Sequence, residues 1–225
     1  MPDIKDHPTC AADISLLVPY YRSLPVYREL VELNHKVSML HPDVLAILYH
    51  LGGHCIKPIL EIGPYIGGST IAMSMGIRRF GDRQRIVTIE LGGTLDHPQH
   101  GSLDIVKDLV RNLEVYGASD YADVLVGNSR HQDIVSAARG ILGKSGVGLF
   151  FIDADGQVDM DLDRYGDLMG PGAYLVVDDY FSGGDWAAPE DKVVPTKSTL
   201  DSLEKAGKVE CLGIYGWGTW VGLIK

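Results

Sequence analysis

Carboxylates follow two of the apolar runs in this sequence, at positions where they could act together on one ion. Asp153 and Asp155 end the run VGLFFIDAD, and Asp178 and Asp179 end the run AYLVVDD. Converging carboxylates repel one another unless a proton or a cation lies between them. An all-oxygen set suits Mg²⁺, Mn²⁺ or Ca²⁺ better than Zn²⁺. The residue types therefore favour a divalent-cation site, with capping of turns or helices as the simpler alternative for some of these aspartates.

A glycine-rich turn follows an earlier apolar run. Residues 61–70, EIGPYIGGST, come directly before a helical pattern. Glycines there let the backbone turn sharply and approach a ligand, and the first turn of a helix offers free N–H groups. The spacing does not match the G-x-G-x-x-G of nicotinamide sites. E-x-G-x-x-x-G is instead the pattern of S-adenosylmethionine sites, and we expect Gly63 and Gly67 to tolerate no side chain because the cofactor lies against them.

Two further polar positions complete this set. Glu90 ends the run RIVTIE, where an acid can accept both hydroxyls of a ribose. Ser129 and Arg130 follow the run ADVLVG, at the end where an adenine edge would lie. His97 and His100 fall in a polar segment that we expect to be solvent-exposed. Together with the glycine-rich turn, Glu90 predicts binding of an adenosine-containing ligand.

The elements that must position these residues alternate regularly from residue 56 onward. Apolar runs cover residues 56–63, 85–91, 122–127, 147–153 and 173–180. Helical patterns fall near residues 69–79, 102–115, 131–142, 161–169 and 198–206, the last with Ser198 as its N-cap. This alternation is typical of parallel strands joined by crossover helices. The last two runs, 209–215 and 219–225, are too close for a crossover and predict an antiparallel hairpin.

The first 55 residues have a different pattern. We expect the first 25 to be irregular, with Pro8, Pro19 and Pro25 among them, and two amphipathic helices to follow over residues 26–40 and from Pro42 to a stop at Gly52–Gly53. The chain is therefore expected to form one domain, with an N-terminal helical cap at 1–55 and an α/β core at 56–225. The length of 225 residues is compatible with such a single domain.

Composition excludes several classes of protein. Hydrophobic residues make up 45% and charged residues 22%, which is typical of a globular domain and not of a disordered chain. The net charge of −10 provides no general electrostatic footprint for nucleic acid. No apolar run approaches the length of a membrane span, and the N-terminus has no signal pattern. Three dispersed cysteines, Cys10, Cys55 and Cys211, favour a reducing location, and we expect a cytoplasmic protein.

Over about residues 40–225 these motifs resemble the class I S-adenosylmethionine-dependent methyltransferases, and more narrowly the catechol and caffeoyl-coenzyme A O-methyltransferase type. The resemblance implies a Rossmann-like three-layer sandwich around a mostly parallel seven-stranded sheet, with an antiparallel C-terminal strand and N-terminal helices that cover the substrate. It also implies a homodimer. The residues that match the family's cofactor site are Glu61, Gly63, Tyr65, Gly67, Ser69, Glu90, Ser129, Arg130 and Asp153.

The resemblance also implies a metal site. Asp153, Asp178 and Asp179 match the three ligands of Mg²⁺, or of Mn²⁺ or Ca²⁺ in its place. Neighbours in a strand point to opposite faces, so Asp178 and Asp179 can share one ion only if the chain turns after Asp178. Asp153 is accordingly expected to be catalytic as well.

The sequence departs from the family at the general base. The lysine usually found two or three residues after the first metal ligand is missing, because Asp153 is followed by ADGQ. The acceptor's proton could then go to solvent or to His131, which follows the adenine-side loop. A longer segment, GGTLDHPQHGSL, also follows the residue after Glu90.

The predicted function is a metal-assisted O-methyltransferase that acts on a small hydroxylated molecule. Three alternatives stay open: a metal-independent methyltransferase, a protein that binds S-adenosylmethionine without transferring its methyl group, and an oxidoreductase, which the glycine spacing disfavours. No nucleic-acid or membrane partner is expected. The identity of the acceptor does not follow from the sequence.

Overall fold

The computed structural model describes residues 14–80, 84–181 and 189–225. The expected irregular start at residues 1–13, which contains Pro8 and Cys10, lies outside these ranges, as do residues 81–83 and 182–188. Within the described residues, eight α-helices form in this order: α1 Ile14–Arg22, α2 Pro25–Val37, α3 Pro42–His54, α4 Gly68–Phe80, α5 Ile105–Val115, α6 Gln132–Leu142, α7 Val158–Tyr165 and α8 Glu190–Lys205. None of these helices is long and apolar enough to cross a lipid bilayer.

The strands form a single seven-stranded sheet. They are β1 Ile59–Ile62, β2 Ile86–Glu90, β3 Ala122–Val126, β4 Val147–Ile152, β5 Met169–Val177, β6 Val209–Tyr215 and β7 Thr219–Ile224. Their spatial order is β3-β2-β1-β4-β5-β7-β6. Strands β1 to β5 are mutually parallel, and β7 pairs antiparallel with both β5 and β6. The predicted Rossmann-like fold with a reversed strand in a C-terminal hairpin is confirmed.

Helices cover both faces of this sheet, which explains its continuously apolar central strands. In β4, Phe150 packs into the cluster formed with α6, α7 and α8, and Phe151 packs into the opposite cluster formed with α1 to α5. Both side chains are fully buried. Strands covered on two faces need no polar alternation. The predicted three-layer arrangement is therefore confirmed.

The N-terminal region is more helical than the sequence predicted. Residues 14–22 form α1 although Pro19 lies within it, so the expectation of an irregular start is wrong for this stretch. Helix α3 likewise continues through Gly52 and Gly53 to His54 and does not stop there. A Cβ at Gly52 would lie 2.8 Å from the Met73 carbonyl oxygen of α4, and one at Gly76 would lie 1.9 Å from that of Tyr49. The glycines thus allow α3 and α4 to pack backbone against backbone.

Helix α8 also differs from the prediction. It begins at Glu190, eight residues earlier than expected, with Pro189 at the N-cap position. Ser198 therefore lies inside the helix and is not its cap, and Pro195 is accommodated within it. Helix α5 begins at Ile105, where the Asp104 side chain accepts a hydrogen bond from the Lys107 backbone N–H at 3.1 Å. The early start of α8 brings additional residues to the carboxyl edge of the sheet.

Candidate active site

A cavity of about 340 Å³ opens beyond the carboxyl ends of β1, β2, β3 and β4. The chain leaves β1 towards β2 on one side and reaches β4 on the other, so this is the point where the strand order reverses. Open α/β sheets bind ligands at such a switch point. The predicted site residues that line the cavity are Gly63, Tyr65, Glu90, Ser129, Arg130, Asp153 and Asp155.

The loop between β1 and α4 forms one wall of this cavity. Gly63 has φ +82°, and a Cβ there would lie 1.8 Å from the carbonyl oxygen of Asp153. Tyr65 has φ +52°, an uncommon conformation for a residue with a side chain. The glycine is thus required by the close approach of the loops after β1 and β4, in addition to any contact with a ligand.

Three residues of the glycine-rich turn occupy other positions. Glu61 is fully buried in β1, accepts a hydrogen bond from the Thr70 hydroxyl at 2.5 Å, and does not line the cavity. Gly67 does not line it either, and a Cβ there would lie 3.0 Å from Leu109 of α5, so protein packing already explains this glycine. Ser69 borders a separate cavity of about 20 Å³ that Asp153 also lines. Direct cofactor contact by Glu61 and Gly67 stays a prediction.

Glu90 is held in place by the backbone of two loops. It is 7% exposed, and its Oε2 and Oε1 accept hydrogen bonds from the N–H groups of Tyr65 at 3.0 Å and Gly92 at 2.8 Å. Burial raises the pKa of Glu90, and these backbone N–H groups oppose the rise. Each oxygen of an ionised carboxylate can accept more than one hydrogen bond. Glu90 is therefore a fixed acceptor at the cavity wall, where the sequence predicted contact with a ribose.

The segment after Glu90 folds over the same cavity. Leu95 and Ser102 pair as an isolated antiparallel bridge, and Thr94 and Leu95 line the cavity. The Tyr65 hydroxyl donates a hydrogen bond to the carbonyl oxygen of His100. His100 is only 6% exposed, so its predicted solvent exposure is wrong. Gly92, Thr94 and Leu95 thus form part of the cavity wall, and the bridge and the hydrogen bond fix the segment that carries them.

The loop of residues 127–130, which the sequence predicted to lie at the adenine side, is fixed by a buried carboxylate that the sequence did not reveal. Ser129 donates a hydrogen bond to Asp161 of α7 at 2.7 Å, and Asp161 is fully buried. The Tyr165 hydroxyl donates to the Ser129 carbonyl oxygen at 2.5 Å. Arg130 forms an ion pair with Asp155 and lies 3.7 Å from Asp161. Asp155 is thus partnered by Arg130, and the loop is anchored to α7 on its far side.

The structure brings together the three predicted metal ligands. Carboxylate oxygens of Asp153, Asp178 and Asp179 all lie within 4.8 Å of one another. The Asp153 N–H donates to Ile62 and the Asp178 N–H donates to Ile152, both at 2.9 Å, so these two aspartates continue the ladder of β1, β4 and β5. Asp179 has φ +58°, which supplies the turn that the sequence analysis required after Asp178. We refer to these three residues as the acidic cluster.

Burial and mutual repulsion disfavour ionisation of the acidic cluster. Burial raises the pKa of Asp153 well above its usual range, and the charges of Asp178 and Asp179 raise it further. Burial, followed by the charge of Asp179, raises the pKa of Asp178 to about 6, although the Thr219 hydroxyl opposes this by donating a hydrogen bond to Asp178. The pKa of Asp179 is raised by burial, while Lys192 acts in the opposite direction.

The donor set fits a divalent cation. Oxygens that each bind one ion at about 2.0–2.6 Å are at most about 5 Å apart, and the three carboxylate oxygens here all lie within 4.8 Å of one another. Three carboxylates are hard ligands of the kind that Mg²⁺, Mn²⁺ and Ca²⁺ prefer. A cation would also remove the repulsion that raises the pKa values of Asp153 and Asp178. The residues present are therefore suitable for the ion that the sequence predicted.

A lysine lies beside the acidic cluster, although none is present at the expected sequence position. Lys192 of α8 lines the cavity, and its Nζ lies 3.5 Å from Oδ2 of Asp179. A Cβ at Gly156 would lie 2.6 Å from the Lys192 Cα atom, so the glycine after Asp155 makes room for α8. His131, by contrast, is exposed at the N-cap of α6 and does not line the cavity. The structure therefore provides no contact that supports His131 as the proton acceptor.

Solved structures share this fold along nearly the whole chain. Cofactor-bound Rv0187 from MTB has a TM-score of 0.64 and 22% identity over 97% of this chain and 99% of that one. An O-methyltransferase from Bacillus cereus, in complex with SAH, has a TM-score of 0.60 and 18% identity over 94% and 100% of the two chains. TomG from Streptomyces achromogenes, an O-methyltransferase involved in tomaymycin synthesis and solved with SAM, has a TM-score of 0.61 and 18% identity over 94% and 96%.

The sequence itself identifies the family. No protein of curated function matches the chain. The family described as "Methyltransferase domain" matches residues 60–180, which is more than half of the chain and extends from β1 to the residue after the acidic cluster. The matched region contains the glycine-rich turn, Glu90, the adenine-side loop and all three aspartates. The chain therefore belongs to the methyltransferase domain family, in agreement with its resemblance to the class I S-adenosylmethionine-dependent methyltransferases.

Proposed function

We propose that the protein is an S-adenosylmethionine-dependent O-methyltransferase that methylates a hydroxyl of a small molecule with the help of a divalent cation. The observation that carries this proposal is the junction of two features at Asp153, which lines the large cavity and belongs to the acidic cluster. A cofactor in the cavity and an acceptor at the cluster would meet there. The O-methyltransferases of Bacillus cereus and Streptomyces achromogenes, solved with SAH and SAM, support the choice of cofactor and reaction.

The cavity provides complementary groups along its length. Glu90 is positioned to accept hydrogen bonds from the ribose hydroxyls, as expected of an acid at the end of β2. Ser129 and Arg130 lie at the adenine side, held by α7. Gly63 and Tyr65 form the wall near Asp153, where the methionine part of the cofactor would lie. Ser69 lines the smaller neighbouring cavity, next to Asp153, and would contact the cofactor from that side.

The reaction requires little covalent chemistry from the protein. The acceptor oxygen attacks the methyl carbon, the O–CH₃ bond forms, the S–CH₃ bond breaks, and its electron pair neutralises the sulfonium. The hydroxyl proton leaves to solvent. Because the methyl group is already activated, the main task of the chain is to align oxygen, carbon and sulfur. Asp153 contributes as the residue that connects the two binding regions.

Asp153, Asp178 and Asp179 would hold the cation. When bound, such an ion lowers the pKa of an acceptor hydroxyl and favours the oxyanion near neutral pH. The chain keeps these ligands in place through the ladder hydrogen bonds of Asp153 and Asp178, the Thr219 hydroxyl and the left-handed turn at Asp179. A metal-independent methyltransferase is the second candidate, because Lys192 already supplies one positive charge to the cluster.

Binding and turnover test the proposal separately. Calorimetry should show saturable binding of SAH and no binding of NAD. Methyl transfer from labelled S-adenosylmethionine to a panel of hydroxylated small molecules should stop with chelator and resume with Mg²⁺ or Mn²⁺. Turnover that persists in excess chelator would favour the metal-independent candidate. SAH binding without transfer to any acceptor would favour a non-methylating binding protein, and NAD binding alone would contradict the proposal.

The remaining expectations concern assembly and location. We infer a homodimer and a cytoplasmic location, supported by the family resemblance and by the sparse cysteines; Cys55 and Cys211 are both unpaired. Light scattering coupled to gel filtration would test the first inference. A mass of about one chain at micromolar concentration would contradict it.

A further inference from the structure

Backbone packing fixes the position of Lys192. Gly156, in the turn that follows Asp153, has φ +81°, and a Cβ there would lie 2.6–2.7 Å from the Cα and carbonyl oxygen atoms of Lys192. The Thr196 hydroxyl, one turn further along α8, donates to the Gly156 carbonyl oxygen at 3.4 Å. Helix α8 therefore lies directly on the loop that carries Asp153. The backbone of Lys192 is therefore held in place by packing against Gly156.

The side chain of Lys192 faces the acidic cluster. Its Nζ lies 3.5 Å from Oδ2 of Asp179, and the two side chains are 36% and 19% exposed. Lys197, on the same helix, pairs instead with Asp201 at 2.9 Å and contacts the Tyr180 hydroxyl. The other cation that lines the cavity, Arg130, is engaged by Asp155 and Asp161. Of these three cations, Lys192 is the one that pairs with the acidic cluster.

A lysine in this position competes with a divalent cation. An ammonium group and a metal ion would both interact with the same carboxylate of Asp179, and their positive charges repel each other over a short distance. The ammonium compensates one carboxylate charge, at Asp179, and a divalent cation that binds the same carboxylate has to weaken that contact.

We propose that Lys192 is an internal counter-ion of the acidic cluster, which a divalent cation has to displace from Asp179, so that Lys192 sets how tightly the site holds its metal. This inference rests on the proposed function, because it assumes that the cluster binds a cation. It also gives a reason for the glycine at position 156, because a side chain there would exclude the helix that carries Lys192. Loss of the ammonium should tighten metal binding, whereas loss of an ordinary structural ion pair should weaken it or leave it unchanged.

A titration with Mn²⁺ alone tests this inference without an acceptor. Free Mn²⁺ is measured by electron paramagnetic resonance in the wild-type chain, in Lys192→Met, which keeps much of the aliphatic stem, and in Lys192→Arg, which keeps the charge. Lys197→Met is the matched control, because it removes one positive charge from the same helix at a site that is paired with Asp201. We expect Lys192→Met to bind Mn²⁺ about tenfold more tightly, or about 1.4 kcal/mol. Lys192→Arg and Lys197→Met should remain near the wild type.

The other outcomes overturn the inference in different ways. Equal affinity in the wild type and Lys192→Met would show that the ammonium does not compete, while the metal-assisted function would stand. Equal tightening in Lys197→Met would assign the effect to net charge. Weaker binding in Lys192→Met would mean that the lysine supports the site. If no variant binds Mn²⁺, the inference and the metal-assisted part of the function both fail, and SAH calorimetry on the same samples decides whether the methyltransferase assignment survives.

Discussion

Removal of one charge from the acidic cluster should stabilise the protein when no cation is present. In Asp178→Asn the side chain keeps its size, and its Oδ1 can still accept the hydrogen bond from Thr219. Burial and Asp179 raise the pKa of Asp178 to about 6 from 3.8. At neutral pH, where Asp178 is ionised, that difference in pKa lowers the free energy of unfolding by about 3 kcal/mol. Partial solvent exposure reduces the expected gain to about 1–2 kcal/mol.

The pH dependence of this effect has a definite sign. Because the pKa of Asp178 is raised in the folded state, the stability linked to its protonation is present at low pH and is lost as the pH rises through about 6. The advantage of Asp178→Asn should therefore be largest at pH 7.5 and small near pH 4. For a chain of this length, about 1–2 kcal/mol corresponds to a rise in melting temperature of about 2–8 °C.

Thermal unfolding in chelator, from pH 4 to 8, measures this prediction. Asp163→Asn is the control, since Asp163 is exposed on α7, and it should change stability by no more than about 0.5 kcal/mol. Addition of Mg²⁺ should raise the melting temperature of the wild type and reduce the advantage of the variant. An Asp178→Asn protein that is no more stable than the wild type in chelator at pH 7.5 would refute the electrostatic reasoning.

Three further substitutions test other parts of the description. Glu90→Ala should weaken SAH binding about tenfold or more by calorimetry, because a hydrogen bond to a charged group contributes about 1.5–3 kcal/mol; unchanged affinity would exclude Glu90 from the ribose site. Gly63→Ala should lower the free energy of unfolding by more than about 2 kcal/mol in urea, because its Cβ would lie 1.8 Å from the Asp153 carbonyl oxygen. Gly140→Ala should raise it by about 0.5–1 kcal/mol, because Gly140 lies in α6 with open space around its Cβ; a loss of stability would contradict this.

The sequence predicted the sheet well because the relevant signal is local. Strands such as β1 and β4 are buried on both faces and therefore appear as continuous apolar runs between glycine-rich turns. Because parallel strands have their carboxyl ends at the same edge of the sheet, the motif residues that follow these strands could be placed at that edge from the sequence alone. For the same reason, the acidic cluster and the cavity wall at Glu90 could be predicted from spacing and family resemblance.

The features that were missed depend on contacts between distant parts of the chain. Pro195 lacks a backbone N–H group, which disfavours a helix interior and obscured the first turns of α8. Lys192 belongs to those turns, so its contact with Asp179 could not be expected from spacing alone. Glycines often end a helix, but Gly52 and Gly53 lie inside α3, where the absence of a side chain allows close packing against α4. Asp161 gave no signal, because its partner Ser129 lies 32 residues away.

The backbone contact between α3 and α4 limits where this chain can be recombined with its relatives. Chimaeric methyltransferases that exchange substrate-covering segments would naturally be joined near residue 55, where the helical region meets the first strand. A junction there would separate α3 from α4, and any relative with alanine at position 76 would place a methyl group 1.9 Å from the Tyr49 carbonyl oxygen. Helix α3 is buried along almost its whole length, so it has to be exchanged together with the α/β core. Residues 38–41 are excluded as well, because a Cβ at Gly68 of α4 would lie 2.3 Å from the Ser38 Cβ atom, so a crossover point has to precede Val37.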